Sequence, residues 1–410
     1  MTRLEPLPSP HDAVAGFLAG AAEVAANDLA DVVTLAGRVL GASSARLLVA
    51  DYALASLREL GEDGPKGPAQ AVDGTLAGRA FALGSVVSSG EEPTIVWAPL
   101  VDGTERLGVL ELEFRTWSDE SEAALDAVVP LLVLVVISRR RYTDVLLRSR
   151  RARALSTAAE MQWDLLPPLT GSNASVSVSG ILEPAYSIGG DSFDFALNGD
   201  RLGFAITDAV GHGTSSVLLS VTAITSLRNS RREGAPLEVA YLETGTALEE
   251  HFGRSAFVTG QIGELSYDRG ELTWLNAGHP PPLLVRDRSF AGELACPPSL
   301  PMGLGGEVRA VVTEQLQPGD RVLFYTDGVI ERRDPEGEAF GLSRLADLLV
   351  RASLDGVSPA ETARRLSASV LGHNDDVLGD DATLMLIDYH GSDPADRHEP
   401  PCAGRPPGPG

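Results

Sequence analysis

Cysteine is almost missing from this chain: Cys296 and Cys402 are the only two in 410 residues. They are too few and too far apart for a disulfide framework or a thiolate metal site, and their scarcity leads us to expect a reducing, cytoplasmic setting. Positive charge is short as well. Thirty-three Lys and Arg against 57 Asp and Glu leave a formal net charge of −24, which repels nucleic acid and anionic membrane surfaces; no nucleic-acid partner is expected. The one basic cluster, the arginines at 139–141, 148, 150, 151 and 153, reads as a solvated or acid-paired helix face. No charged segment followed by an apolar core and a small-residue cleavage site opens the chain, so no signal peptide is expected. The apolar stretch 123–137 contains Asp126 and Pro130 and falls short of the about 20 residues that span a bilayer. It is expected as a buried or dimer-packing helix, not a membrane span.

With 43% hydrophobic and 22% charged residues, the chain has the composition of a globular protein of two or three domains. Its pivot is Phe204-Ala-Ile-Thr-Asp-Ala-Val-Gly-His-Gly213, an apolar run that ends on an acid before a Gly-x-Gly turn, with a helix expected behind it. Upstream, Ile188-Gly-Gly-Asp-Ser-Phe-Asp194 presents Asp191 in the same way, and Asn198-Gly-Asp-Arg201 between them is a hairpin signal. A two-residue turn sets Asp208 opposite Gly189 and diagonal to Asp191; a four-residue turn sets the two acids face to face. Either register puts two carboxylates on one face, and like charges so placed call for a cation. Two further strands meet acids, at Asp327-Gly328 and at Asp380-Asp381. Each alone is an ordinary turn. Together they form an oxygen-only set suited to magnesium or manganese.

Residues 11–118 alternate helix and strand signals, with a hairpin turn at Asp102-Gly103. Val72-Asp-Gly-Thr-Leu-Ala-Gly-Arg-Ala-Phe-Ala-Leu-Gly84, Trp97-Ala-Pro-Leu-Val101 and Leu107-Gly-Val-Leu-Glu-Leu112 resemble the helix and late strands of a GAF-type sensory domain, which implies a small-molecule ligand there. A domain that only packs or dimerises is the alternative. With no Cys before 296 and only His11 before 212, covalent bilin is excluded and haem has no core histidine to bind. Residues 119–168 read as a helical linker ending at Pro167-Pro168. The spacing of Tyr142, Val145, Ser149, Ala152, Leu155, Ala158, Gln162 and Leu165 is a weak coiled-coil seam that would relay a signal in a homodimer; one helix packed on its own domain is the alternative. Strands dominate from 169 to 390, with helices expected at 214–232, 236–252, 342–352 and 359–371. This predicts two sheets with helices outside, an α+β sandwich. Residues 1–10 and the Pro- and Gly-rich 391–410 are expected to be flexible.

Ala159-Glu-Met-Gln-Trp-Asp-Leu-Leu-Pro167, Pro184-Ala-x-x-x-Gly-Gly-Asp191, Asp208-Ala-Val-Gly-His-Gly213, Asn276-Ala-Gly-His-Pro-Pro-Pro282, Leu300-Pro-Met-Gly303, Tyr325-Thr-Asp-Gly328 and Asp380-Asp-x-Thr383 carry a resemblance to the SpoIIE-type branch of the PP2C-like protein phosphatases, over roughly 155–388. The resemblance implies an αββα sandwich in which Asp191, Asp208, Asp327 and Asp380 are catalytic metal ligands and Ala209 offers its carbonyl to two Mn2+ or Mg2+ ions. Asp381 stands where the family has a neighbouring polar residue and is not expected to ligate. The implied reaction is hydrolysis of phosphoserine or phosphothreonine on a regulatory protein such as an anti-sigma-factor antagonist, by in-line attack of activated water without a phosphoenzyme. His212 is a candidate general acid or a turn residue; His279 reads as structural. No arginine stands out as a phosphate clamp. Two other readings are a catalytically inactive partner-binding regulator and a purely structural adaptor. A diguanylate cyclase is rejected, because Ser192 follows Gly189-Gly-Asp191 where an acid is required and the later motifs do not fit that family.

Overall fold

A computed structural model describes residues 9–90, 92–186, 189–334, 336–372 and 381–392. Of the segments expected to be flexible, 1–8 and 393–410 lie outside the described residues.

The N-terminal half contains α1 (Pro10–Glu23), α2 (Leu29–Val39), β1 (Ser44–Ala50), β2 (Ser56–Glu59), β3 (Lys66–Ala71), α3 (Leu76–Leu83), β4 (Val87–Ser88), β5 (Thr94–Asp102), β6 (Glu105–Phe114) and α4 (Asp119–Arg139). The strands pair antiparallel in the order β3-β2-β1-β6-β5-β4. Side chains alternate across this sheet as the strand period requires. Leu47 and Val49 face α1, α2 and α4 in one core with Phe17, Val32, Leu125 and Leu132, whereas Leu48 and Ala50 face α3 and share a core with the C-terminal half.

The linker departs from the single coiled-coil helix of the sequence reading. α4 is held at its start by the Ser118 cap and packs on α1, α2 and β5. With the turn that follows it, at Arg140–Tyr142, it forms a 24-residue helical segment, long and apolar enough by those measures alone to cross a membrane; the apolar stretch 123–137 understated that length. Two short helices come next, α5 (Val145–Arg150) and α6 (Thr157–Leu165). The expected seam is consumed within the chain, since Ser149, Ala158 and Gln162 are buried while Tyr142 is exposed. Burial against the chain's own sheets is worth more to these short helices than a continuous exposed stripe.

The C-terminal half contains β7 (Thr170–Ser172), β8 (Val176–Glu183), β9 (Ser192–Leu197), β10 (Arg201–Ala209), α7 (Thr214–Arg232), α8 (Leu237–Phe252), β11 (Val258–Ser266), β12 (Glu271–Ala277), β13 (Leu283–Arg286), β14 (Ser289–Glu293), β15 (Val312–Gln315), β16 (Arg321–Tyr325), α9 (Asp327–Glu331), α10 (Leu342–Leu354), α11 (Pro359–Leu371) and β17 (Ala382–Tyr389). One sheet runs β15-β12-β11-β10-β9 and the other β14-β13-β16-β17-β8-β7. α7 and α8 pack on the first, α10 and α11 on the second, which gives the four layers expected of the sandwich. The sheets meet through residues such as Phe204 and Phe324, whose rings lie 4.8 Å apart. Gly180 is small because a Cβ there would stand 2.3 Å from the Phe193 ring.

The two halves share an apolar seam. Tyr52 of the first half packs at 4.7 Å against Trp163 of α6, the two rings tilted by 50°, and meets Tyr186 edge-on. A cavity of about 20 Å3 remains there, lined by Leu54, Arg106 and Gly180, with room for about one water but not for a signal molecule.

Candidate active site

Strand parity brings the acids together. On β10, Leu202, Phe204 and Ile206 point into the core between the sheets, while Ala205 and Ala209 pack under α7 and α8. Asp208 therefore falls on the inter-sheet face. β9 pairs with β10 from Leu197↔Leu202 to Ser192↔Thr207, so one more step sets Asp191 directly across from Asp208. Of the two registers the sequence allowed, the four-residue turn is the one formed, closed by the Asn198 amide donating to the Arg201 carbonyl at 2.9 Å.

Asp191 is buried. Thr326, just ahead of α9, donates its hydroxyl to Asp191 Oδ2 at 2.7 Å, and Gln162 of α6 donates its amide to the Asp191 carbonyl. Burial pushes the Asp191 carboxyl well above its ordinary range, and the nearby Asp208 and Asp381 carboxylates add to the rise. A buried acid facing another acid is unfavourable unless it holds a proton or a cation.

Asp381 is spent on the backbone. Its Oδ2 accepts the Gly189 amide at 2.6 Å and the Asp191 amide at 3.3 Å, which fixes the turn that delivers Asp191. Two close approaches explain glycines here. A Cβ on Gly190 would lie 2.2 Å from the Ala209 carbonyl oxygen, and one on Gly328 would lie 1.8 Å from the Asp381 carbonyl oxygen. The Ala209 amide returns a 3.2 Å bond to the Gly190 carbonyl.

The structure thus joins Asp191, Asp208 and Ala209, with Asp381 beside them. Asp327 is the first residue of α9 and is exposed; Asp380 lies outside the described residues. Among the described residues no three His, Cys, Asp or Glu side chains form a ready ligand set, so the facing pair on an all-oxygen wall is what fits a hard divalent cation. His212 is exposed in the turn after Asp208, where Gly211 and Gly213 take φ of 98° and 74°. Arg228 and Arg231 of α7 are committed to Asp194 at 2.6 and 2.7 Å. Sequence reasoning missed Thr326 as a partner of Asp191 and read Gln162 as a seam residue. A polar side chain inside an apolar helix stripe was the available signal for Gln162.

Residues 198–390 match the family described as Stage II sporulation protein E (SpoIIE), a match that begins just after Asp191. Protein IcfG of Synechocystis sp. is 23% identical over 263 residues, covering 57% of this chain and 41% of its own length; the chain thus spans less than half of that relative. Phosphoserine phosphatase RsbU of Bacillus subtilis is 24% identical over 238 residues, covering 57% of this chain and 69% of its own. Among solved structures, the RsbU and RsbW domains of Rv1364c from Mycobacterium tuberculosis align at 28% identity with a TM-score of 0.47, over 54% of this chain and 63% of that one.

Proposed function

We propose that the C-terminal half of the chain, which matches the SpoIIE family over residues 198–390, is a PP2C-like phosphatase domain, and that the protein is a cytoplasmic, metal-dependent phosphatase acting on phosphoserine or phosphothreonine of a regulatory protein. The observation that carries this is the facing of Asp191 and Asp208 on one wall between the sheets, with Asp191 buried beside a third acid. Asp191, Asp208, Asp327, Asp380 and the Ala209 carbonyl would hold two Mn2+ or Mg2+ ions. Such ions, when bound, acidify water and neutralise phosphoryl oxygens. The chain's own part is placement. Thr326 holds one oxygen of Asp191, Asp381 and Gln162 fix its backbone, and the narrow Gly190–Ala209 contact sets the distance between the two strands. RsbU carries the name phosphoserine phosphatase, and the Rv1364c structure joins RsbU and RsbW domains; these support a protein substrate in partner switching, such as an anti-sigma-factor antagonist. The N-terminal half, a GAF-like sensor in this reading, would adjust activity through the seam it shares with α6 and α11.

The test is hydrolysis of an aryl phosphate with added manganese, with chelator, and by Asp208→Asn. Manganese-dependent turnover is expected, together with a manganese-induced rise in melting temperature. Asp208→Asn should lose about 100-fold or more in turnover, the upper end of what even indirect partners of a metal contribute, and with it most of that rise. Turnover that survives chelation would reject the metal mechanism. A parent protein that binds manganese and hydrolyses nothing would favour the inactive partner-binding regulator.

A further inference from the structure

The wall that carries Asp191 and Asp208 stays polar for two more strands. Thr259 of β11 stands opposite Asp208, Gln261 and Asn276 stand opposite each other on β11 and β12, and the loop after β12 folds back to bring His279 beside them. His279 is buried. Thr259 donates its hydroxyl to the Asp208 carbonyl at 3.3 Å, and His279 Nδ1 lies 3.1 Å from that same hydroxyl oxygen.

The direction of this chain follows from what each atom can do. A carbonyl only accepts, so the Thr259 proton points to Asp208, and the Thr259 oxygen must then accept from His279. The imidazole proton is therefore on Nδ1, an assignment drawn from the network. Burial pushes the ring down to about 3, so it stays neutral, and Nε2 is left as a buried acceptor without a protein partner among the described residues. A merely structural histidine would be there to hold the loop, but the loop is held another way. Asn276 accepts the His279 amide at 2.7 Å and donates to the His279 carbonyl at 2.9 Å, and Gln261 donates to the Pro280 carbonyl at 2.6 Å. All three bonds use main-chain groups of the loop, so they would form with any non-proline residue at 279.

We infer that His279 is a positioning residue for Asp208, acting through the Thr259 hydroxyl to fix the Asp208–Ala209 peptide where β10 enters the turn. That peptide joins the Asp208 Cα, which bears the carboxylate, to the Ala209 Cα, which precedes the Ala209 carbonyl, so holding its Asp208 carbonyl restricts where the two proposed ligands on either side of it point. The inference rests on the phosphatase reading and extends it to two residues outside the proposed ligand set.

The experiment titrates manganese into the parent, Thr259→Val, Thr259→Ser, His279→Ala and the double variant Thr259→Val/His279→Ala, reading melting temperature and aryl phosphate hydrolysis. Thr259→Val keeps the side-chain shape and removes only the hydroxyl link. The manganese concentration giving half the maximal rise in melting temperature is expected to increase about 10-fold in Thr259→Val and in His279→Ala, the lower end for residues that orient metal ligands. Half-saturation for hydrolysis should shift equally, and Thr259→Ser should titrate like the parent. In the double variant His279→Ala should add nothing to Thr259→Val, because the link is already cut. Thr259→Val titrating like a responsive parent overturns this inference alone, as do effects of the two changes that add in full. Should His279→Ala fail to fold, Thr259→Val against Thr259→Ser decides. A parent that responds to manganese by neither readout overturns the phosphatase reading and this inference with it.

Discussion

Arg106, from β6 of the N-terminal sheet, and Glu361, in the first turn of α11, form an ion pair 3.0 Å apart with both side chains buried. Arg106 also donates to the Ala360 carbonyl at 3.1 Å and lies over the Phe81 ring at 4.7 Å. Glu361 is held in turn by Arg364 at 2.8 Å and Arg365 at 2.9 Å, and Arg364 reaches back to Asp73 at 2.7 Å. One acid thus serves cations from both halves.

The asymmetry of that cluster sets an order of effects. Glu361→Gln strips the acid from buried Arg106 and Arg364, and should cost about 3–5 kcal/mol, as expected when a buried pair loses one partner. Arg106→Met leaves Glu361 with two arginines and should cost clearly less. Denaturant unfolding of both variants measures this; equal losses would show that the cluster does not share its charge as described.

Gly328 sits where the chain has no room for a side chain. Gly328→Ala would put a carbon 1.8 Å from the Asp381 carbonyl oxygen, and should cost about 1–3 kcal/mol through overpacking. Because the displaced strand end carries Asp381, the manganese-induced rise in melting temperature should shrink as well. Gly199→Ala, with open space around its Cβ, is the control expected to leave both unchanged.

Glu183 gives a pH signature. Burial pushes this carboxyl up to about 7, against bonds from the Ala185 amide and Ser367 hydroxyl that favour its charged form. An acid whose folded value is raised binds more protons when folded, so its stabilising contribution is present at low pH and is lost as pH rises from about 4.5 to about 7, by up to about 1.4 kcal/mol per pH unit. Unfolding free energies measured with chelator at pH 5 and pH 7.5 should fall in the parent over that interval. The fall should be smaller in Glu183→Gln, and an identical pH dependence in the two proteins would remove Glu183 as its source.

Much of the C-terminal half could be read from the sequence because its signals are local. The α7 and α11 spans follow from a glycine turn and from the Ser358 cap with Pro359, and the acid at the end of β10 follows from an apolar run that stops. What could not be read depends on contacts made far along the chain. The Asn198-Gly199 pair is consistent with a two-residue turn, yet the Asp200 carbonyl is taken by the Tyr267 amide at 3.0 Å, a bond from the neighbouring hairpin that favours the longer loop. Gln162 and Thr326 reach Asp191 across 29 and 135 positions, and no spacing rule covers that. The seam of the linker misled for the same reason, since its small and polar residues were matched to partners inside this chain.

The apolar seam also bears on how interchangeable the halves are. Leu48, Phe81 and Trp97 from one half lie in the same continuous cluster as Ile181, Phe193 and Phe324 from the other, so neither half owns that core. Grafting a different N-terminal half onto this C-terminal half, or moving this N-terminal half elsewhere, would leave two apolar faces without their match. The inheritable unit is the pair, and heat or denaturant should take both halves apart in a single step.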